Sequence, residues 1–131
     1  MKKTTLLNSH LSTLIARMGH TQTLTIGDAG LPVPAGVPRV DLAVTAGIPR
    51  FLEVLDAVLS ELTVERIVLA EEIRDVSPEL CREILRRFPQ TPVDYVPHEA
   101  FKALTKASNA VVRTGETTPY ANILLTAGVA F

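Results

Sequence analysis

The sequence of 131 residues contains 13 basic and 14 acidic side chains, and 47% of its residues are hydrophobic. This length suits one domain, and the near-neutral charge excludes the strongly basic surface of a typical nucleic-acid-binding protein. The single cysteine, Cys81, excludes an intramolecular disulfide and favours a reducing compartment such as the cytoplasm, and no apolar run has the length expected of a signal peptide or a membrane span.

Helix-like and strand-like segments alternate from the start of the chain. Asn8 or Ser9 is placed to cap a first helix, and Gly19 is expected to end that helix in the left-handed conformation. The segments that follow predict a strand over 23–26, a loop over 27–32, a strand over 40–44 and a helix over 49–62.

The second half of the chain continues this alternation. It predicts a strand over 67–70, a helix over 77–88, a strand over 93–96, a short helix over 97–104, a strand-like pair at 111–112 and a last strand over 122–126. The order of elements predicts an α/β fold, with a single three-layer domain over residues 1–131. We expect a mixed, mostly parallel sheet with helices on both faces, and the pattern does not give the order of its strands.

Three groups of polar residues are expected beyond the carboxyl ends of strands, where open α/β sheets bind ligands. They are His20 with Asp28, His98, and residues 119–122. A histidine exchanges protons near neutral pH, so His20 is a candidate acid or base, although a lone histidine is more often a surface or capping residue. Asp28, between two glycines, is either a binding group or the side chain of an Asx turn, and no phosphate-loop spacing surrounds it.

His98 and the segment before the last strand are further candidates. His98 follows Pro97 at a helix start, where the helix dipole disfavours a charged imidazole. It is placed either to hydrogen-bond a sugar hydroxyl or to lie exposed in solvent. Tyr120 and Asn122 suit a site that holds a polyol, and they are equally compatible with ordinary packing.

Segments along the whole chain resemble the D-ribose pyranase family. The resemblance rests on Asn8-Ser9, Met18-Gly19-His20-Thr21, the run from Asp28 to Pro34, Glu71-Glu72-Ile73, the run from Pro97 to Lys102, the run from Gly115 to Ile123, and the ending from Ala127 to Phe131. The related L-fucose mutarotases share the Gly-His and Asp-Ala elements, but the residues that follow Asp28-Ala29 are similar to the ribose branch.

This resemblance implies an isomerase that interconverts the pyranose and furanose forms of D-ribose and assembles as a homodecamer. It implies that His20 is the catalytic acid/base and that Asp28, His98, Tyr120, Ala121 and Asn122 bind the sugar. Ring opening needs no catalysis other than proton transfer, so we expect no metal or other cofactor. The near-neutral charge and the lack of a long apolar run predict no nucleic-acid or membrane partner. The wide spacing of these residues and the mean hydropathy of +0.24 favour a site shared between subunits.

Three alternatives remain open. The first is a mutarotase for fucose or another sugar, and the second is a non-catalytic sugar-binding module associated with ribose uptake. The third is a metal site formed by His20, Asp28 and His98, since two histidines and a carboxylate suit a divalent ion. The sequence disfavours this third alternative because it lacks a close pair of ligands such as His-x-x-x-His.

Overall fold

Helices and strands alternate along the chain as predicted. The computed structural model describes residues 1–131. The helices are α1 (Ser9–Arg17), α2 (Phe51–Leu59), α3 (Ile73–Val76), α4 (Pro78–Arg86) and α5 (His98–Leu104), followed by a 3₁₀ turn at Thr105–Ala107. The strands are β1 (Thr23–Gly27), β2 (Arg39–Asp41), β3 (Val64–Ala70), β4 (Val93–Val96), β5 (Val111–Arg113) and β6 (Ile123–Ala127). None of the helices has both the length and the apolar character that crossing a membrane requires.

The six strands form one sheet in the order β2-β5-β1-β6-β3-β4. β5 pairs in parallel with β1 and β2, and β3 pairs in parallel with β4. β6 lies antiparallel to both of its neighbours, β1 and β3. The predicted mixed, mostly parallel sheet is confirmed, because β6 alone runs against the other strands. Its reversal brings the start of β6 to the edge where the other strands end, which we call the carboxyl edge, opposite the amino edge.

Each face of the sheet packs against its own set of apolar side chains. On one face, α1, α2 and α4 cover the larger core, to which β3 and β6 contribute Ile67 and Ile123. On the other face, Phe101 of α5 packs in a smaller core with Val68 and Leu124. Neighbouring residues of one strand thus enter different cores, as the pleat of a strand requires. Helices on both faces confirm the predicted three-layer α/β class.

The turn after α1 differs from its predicted form. Gly19 does not have the left-handed backbone expected of it. α1 ends at Arg17, the residue after it, Met18, is extended, and the positive φ of 71° belongs to Thr21. Gln22 closes this turn, because its backbone N–H donates to the Gly19 carbonyl at 3.2 Å and its side-chain oxygen accepts from the Gly19 N–H at 2.8 Å. A four-residue turn of this kind places the left-handed residue third.

The second strand and the second helix are shorter than predicted. β2 ends at Asp41 because the chain then folds into a tight turn, in which the Val44 N–H donates to the Ile48 carbonyl at 3.0 Å. α2 ends at Leu59, and Leu62 is buried although it lies beyond the helix. Apolar spacing alone therefore overestimates both elements: Leu62 is buried although it lies beyond α2, whereas Val44 is apolar and yet exposed in the turn after β2.

Candidate functional site

The carboxyl edge of the sheet gathers four of the predicted site residues. β1 leads into Asp28, β4 leads through Pro97 into His98, and Tyr120 and Asn122 precede β6. The rings of His98 and Tyr120 meet edge to face with their centroids 5.2 Å apart. Asp28 is hydrogen-bonded directly to Asn122. We call these four residues the carboxyl-edge cluster, and their position agrees with the rule for ligand sites in open α/β sheets.

Asp28 and Asn122 form a reciprocal pair of hydrogen bonds. The backbone N–H of Asp28 donates to Oδ1 of Asn122 at 2.9 Å, and Nδ2 of Asn122 donates to Oδ2 of Asp28 at 3.1 Å. Oδ1 of Asp28 accepts from the backbone N–H of Gly30 at 2.9 Å, which is the Asx turn considered from the sequence. Asn122 is fully buried whereas Asp28 is only half-buried. The amide therefore orients a carboxylate that can accept hydrogen bonds from a ligand.

His98 presents one of its two ring nitrogens to its surroundings. Nδ1 is buried without a hydrogen-bond partner, and the ring stacks on Phe101 with the centroids 6.3 Å apart. The backbone N–H of His98 donates to both carboxylate oxygens of Glu72 at 3.0 Å. This hydrogen bond lowers the pKa of the Glu72 carboxyl, against an opposing effect of burial. Because Nδ1 is buried, Nε2 is the ring nitrogen of His98 that remains available for a contact.

The segment before β6 is held in a constrained turn. Tyr120 has a positive φ of 61°, and the Asn122 N–H donates to the Tyr120 carbonyl at 2.8 Å. Oγ of Ser77 donates to the Pro119 carbonyl at 2.7 Å and ties this turn to the start of α4. Ala121 is fully buried in the larger core, so its side chain faces away from solvent. Any contact of Ala121 with a ligand is therefore made by its backbone.

His20 lies apart from the carboxyl-edge cluster. It precedes β1 whereas Asp28 follows it, and the five residues of β1 separate the two strand ends by about 13 Å at about 3.3 Å per residue. The grouping of His20 with Asp28 at one strand end is therefore wrong within a single chain. The His20 side chain is 53% exposed, and its Nε2 lies 2.8 Å from Oε2 of Glu65.

The same separation bears on the metal-site alternative. No group of three His, Cys, Asp or Glu side chains is arranged to hold a metal ion, so His20, Asp28 and His98 do not meet in one chain. A surface cleft of about 580 Å³ is lined by residues of α2, α3, α4 and the 116–119 segment, and Pro119 is its only member of the three predicted polar groups. The candidate site is thus defined by its polar geometry and not by the size of a cavity.

Comparison with known proteins identifies the family. Residues 1–130 match the model of the RbsD / FucU transport protein family. The chain belongs to this family. A D-ribose pyranase from Geobacillus kaustophilus is 56% identical over 131 residues, which cover 100% of this chain and 96% of that protein. The structure of Bacillus subtilis RbsD complexed with D-ribose is similar with a TM-score of 0.97 and 45% identity, covering 100% of both chains. The fucose mutarotase of Streptococcus pneumoniae, solved with L-fucose, gives a TM-score of 0.74 and 26% identity, again over 100% of both chains.

Membership of the RbsD / FucU family confirms the resemblance found in the sequence. The chain is also more similar to the ribose-bound member than to the fucose-bound one, both in sequence and in backbone. This agrees with the likeness of the residues after Asp28-Ala29 to the ribose branch.

Two carboxylates in contact with predicted site residues were not predicted to act there. Glu72 follows the carboxyl end of β3, so the positional rule that selected Asp28 could also have selected it. Glu65 lies at the start of β3, and its contact with His20 depends on how β3 pairs with β6. No pattern in the sequence gives that pairing.

Proposed function

We propose that this protein is a D-ribose pyranase, an isomerase that interconverts the pyranose and furanose forms of D-ribose. The observation that carries the proposal is the match over the full chain to the ribose-bound RbsD structure, at a TM-score of 0.97. Relatives named D-ribose pyranase, such as those from Geobacillus kaustophilus and Haemophilus influenzae, are 56% and 51% identical over the full chain. Residues 1–131 act as one sugar-isomerase domain in this proposal.

The reaction needs only proton transfer. The anomeric hydroxyl loses its proton, its O–H electron pair forms the carbonyl bond, and the bond from C1 to the ring oxygen breaks with its pair on that oxygen, which takes up a proton. The open aldehyde recloses through a different hydroxyl by the reverse steps. We assign proton transfer to His20, because a positioned histidine is the side chain that most often serves as a general acid or base in enzymes. No metal or redox cofactor takes part in this scheme.

The carboxyl-edge cluster is assigned to sugar binding. The Asp28 carboxylate accepts hydrogen bonds from sugar hydroxyls, and Nε2 is the only nitrogen of the His98 ring that a ligand can reach. Tyr120 supplies a ring and a hydroxyl beside His98. Ala121 contributes through its backbone, and Asn122 acts mainly by orienting Asp28.

We also propose that the site is completed between copies of the chain, in a ring-like homodecamer in the cytoplasm. His20 lies at the amino edge, whereas the sugar-binding cluster lies at the carboxyl edge. A heterologous ring contact can set the amino edge of one copy against the carboxyl edge of the next. The decamer is implied by the family resemblance, and the cytoplasm by the unpaired, buried Cys81.

Subunit mixing tests the shared site. His20→Ala and Tyr120→Ala proteins, each inactive alone, are unfolded together in equal amounts and refolded. Random assembly gives about one quarter of the sites an intact His20 from one copy and an intact Tyr120 from the neighbour, so about one quarter of the wild-type activity is expected. The same proteins mixed without refolding are the control. No recovery after verified subunit exchange would show that both residues act within one chain.

Two other functions are separated from this proposal by one assay. Saturation-transfer NMR measures pyranose–furanose exchange of D-ribose, and anomer exchange of L-fucose, with and without the protein. The proposal predicts faster ribose ring exchange. A fucose mutarotase would accelerate only the fucose reaction. A sugar-binding module for uptake would bind ribose without changing the exchange rate; the family name, which refers to transport proteins, is the reason to test this function.

A further inference from the structure

Glu65 is the extra residue of a β-bulge at the start of β3. Val64 pairs with Ala127 and Arg66 pairs with Thr126, so two steps along β3 match one step along β6. Val64 and Ile67 both pack on the larger core, although residues three apart in a regular strand face opposite sides. The bulge explains why Val64 and Ile67 face the same side. In a regular strand Glu65, two residues before Ile67, would also face the larger core, and the bulge turns it away from that core.

The Glu65 side chain is directed at His20 and at no other polar group. Its Oε2 lies 2.8 Å from Nε2 of His20, which is its sole side-chain hydrogen bond. The backbone beside His20 is fixed to the end of β6, because the Thr21 N–H donates to the Ala127 carbonyl at 2.9 Å. Next along β6, the Gly128 N–H donates to the Thr63 carbonyl at 2.8 Å. The backbone near His20 and the backbone near Glu65 are thus both hydrogen-bonded to the end of β6.

From this geometry we propose that Glu65 is a positioning residue for His20. The carboxylate accepts the Nε2–H of His20, which fixes the ring orientation and the tautomer and leaves Nδ1 as the nitrogen that exchanges protons with the sugar. A carboxylate or carbonyl that holds one nitrogen of a histidine commonly sets the role of the other. This inference rests on the proposed function, in which His20 carries the proton.

The exposure of the pair argues against a purely stabilising role. The side chains of His20 and Glu65 are 53% and 42% exposed, and even a charged pair this exposed would add little to folding stability. Bulges, in contrast, often re-aim a side chain beside an active site. Loss of Glu65 is therefore expected to change catalysis while the melting temperature stays close to that of the wild type.

The test compares Glu65→Gln and Glu65→Ala with the control Asp94→Asn. Asp94 is a matched control because its carboxylate pairs with a basic side chain next to Glu65, that of Arg66, at 2.6 Å. The side chains of Asp94 and Arg66 are 49% and 52% exposed. Ring exchange of D-ribose is measured over a range of sugar concentrations to separate kcat from KM. The tautomer of His20 is read from two-bond ¹⁵N–¹H NMR correlations of the imidazole.

We expect kcat to fall by about 10- to 100-fold in Glu65→Ala with little change in KM, as for other residues that orient a reacting side chain. Glu65→Gln, whose amide oxygen still accepts the Nε2–H, should keep more of the rate, and Asp94→Asn should keep all of it. His20 should be the Nε2–H tautomer in the wild type and a mixture in Glu65→Ala.

The outcomes separate this inference from the proposed function. A wild-type protein that fails to accelerate ribose ring exchange would overturn the proposed function and the role of Glu65 with it. Wild-type acceleration that Glu65→Ala retains in full, or a loss confined to KM, would overturn the role of Glu65 alone. An Nδ1–H tautomer of His20 in the wild type would also overturn it.

Discussion

Replacing Asn122 by aspartate, Asn122→Asp, converts the donor of the Asp28–Asn122 pair into a second carboxylate. Nδ2 of Asn122 lies 3.1 Å from Oδ2 of Asp28, and two unit charges at that separation repel by about 5 kcal/mol at an effective dielectric constant of about 20. The variant avoids this repulsion by keeping one carboxyl protonated, so that an O–H replaces the lost N–H donor. Asn122 is fully buried, so solvent does not relieve the repulsion in another way.

The cost of holding that proton sets the magnitude. Each pH unit above the ordinary aspartate pKa of about 3.9 costs about 1.4 kcal/mol, so the variant should lose about 4 kcal/mol of stability at pH 7 and about 1.5 kcal/mol at pH 5. The sign follows from the raised folded-state pKa of the introduced carboxyl. Stability is retained at pH values below its unfolded pKa and is lost as the pH rises through its folded pKa.

Urea unfolding followed by circular dichroism at pH 5 and pH 7, at one protomer concentration, measures both values. Asn122→Ala is the matched control. It leaves the Asp28 N–H unpaired without adding a charge, so it should cost about 1–3 kcal/mol at either pH. Equal losses for Asn122→Asp at both pH values would refute the reasoning, because the introduced carboxyl would then not face the Asp28 carboxylate.

Three further substitutions test other parts of the site. His20→Ala should have the melting temperature of the wild type, because the His20 side chain is 53% exposed. Its acceleration of ring exchange, measured by saturation-transfer NMR, should fall by about 10²- to 10⁴-fold. A folded variant with wild-type rates would remove His20 from the mechanism. Glu72→Gln should lower the melting temperature at pH 7 and do so less as the pH falls, because the folded-state pKa of Glu72 is lowered and its stabilisation is lost as the pH falls through that value. Gly27→Ala should lose stability by about 1–3 kcal/mol and weaken ribose binding, because a Cβ there would lie 2.5 Å from Leu31 Cδ2 and 3.0 Å from Asn122 Oδ1. Gly30→Ala, whose Cβ meets nothing closer than 3.6 Å, is its control, and equal effects in urea titrations would contradict the packing argument.

The alternation of helices and strands was predictable because each helix buries one apolar face, whereas the central strands are short apolar runs buried on both faces. The strand over 23–26 and the helix over 97–104 were placed within one residue of β1 and α5. The carboxyl-edge cluster was predictable for a related reason. Polar residues that follow buried strands meet at one edge when the strands are parallel, and this rule located Asp28 and His98 without any knowledge of strand order.

Residues before a strand do not follow the same rule, and His20 shows why. His20 is close to Asp28 in the sequence, but it precedes β1 whereas Asp28 follows β1. The residue before a strand and the residue after it lie at opposite edges of the sheet. The same reasoning explains Asn122, which precedes its strand and yet lies at the carboxyl edge, since β6 runs in the reverse direction. The direction of β6 is a property of strand pairing, which hydrophobic periodicity does not encode.

Glu65 is the residue that sequence reasoning was least able to find. The apolar run over 67–70 predicted β3, but Val64 to Arg66 lie outside that run, and the bulge interrupts the alternation that would extend the strand. Its side chain reaches His20 only because β6 lies between β1 and β3 in the sheet and ties the turn before β1 to the start of β3. A residue placed by a bulge therefore leaves no periodic signal in the sequence, and its neighbours are known only once the pairing of the surrounding strands is known.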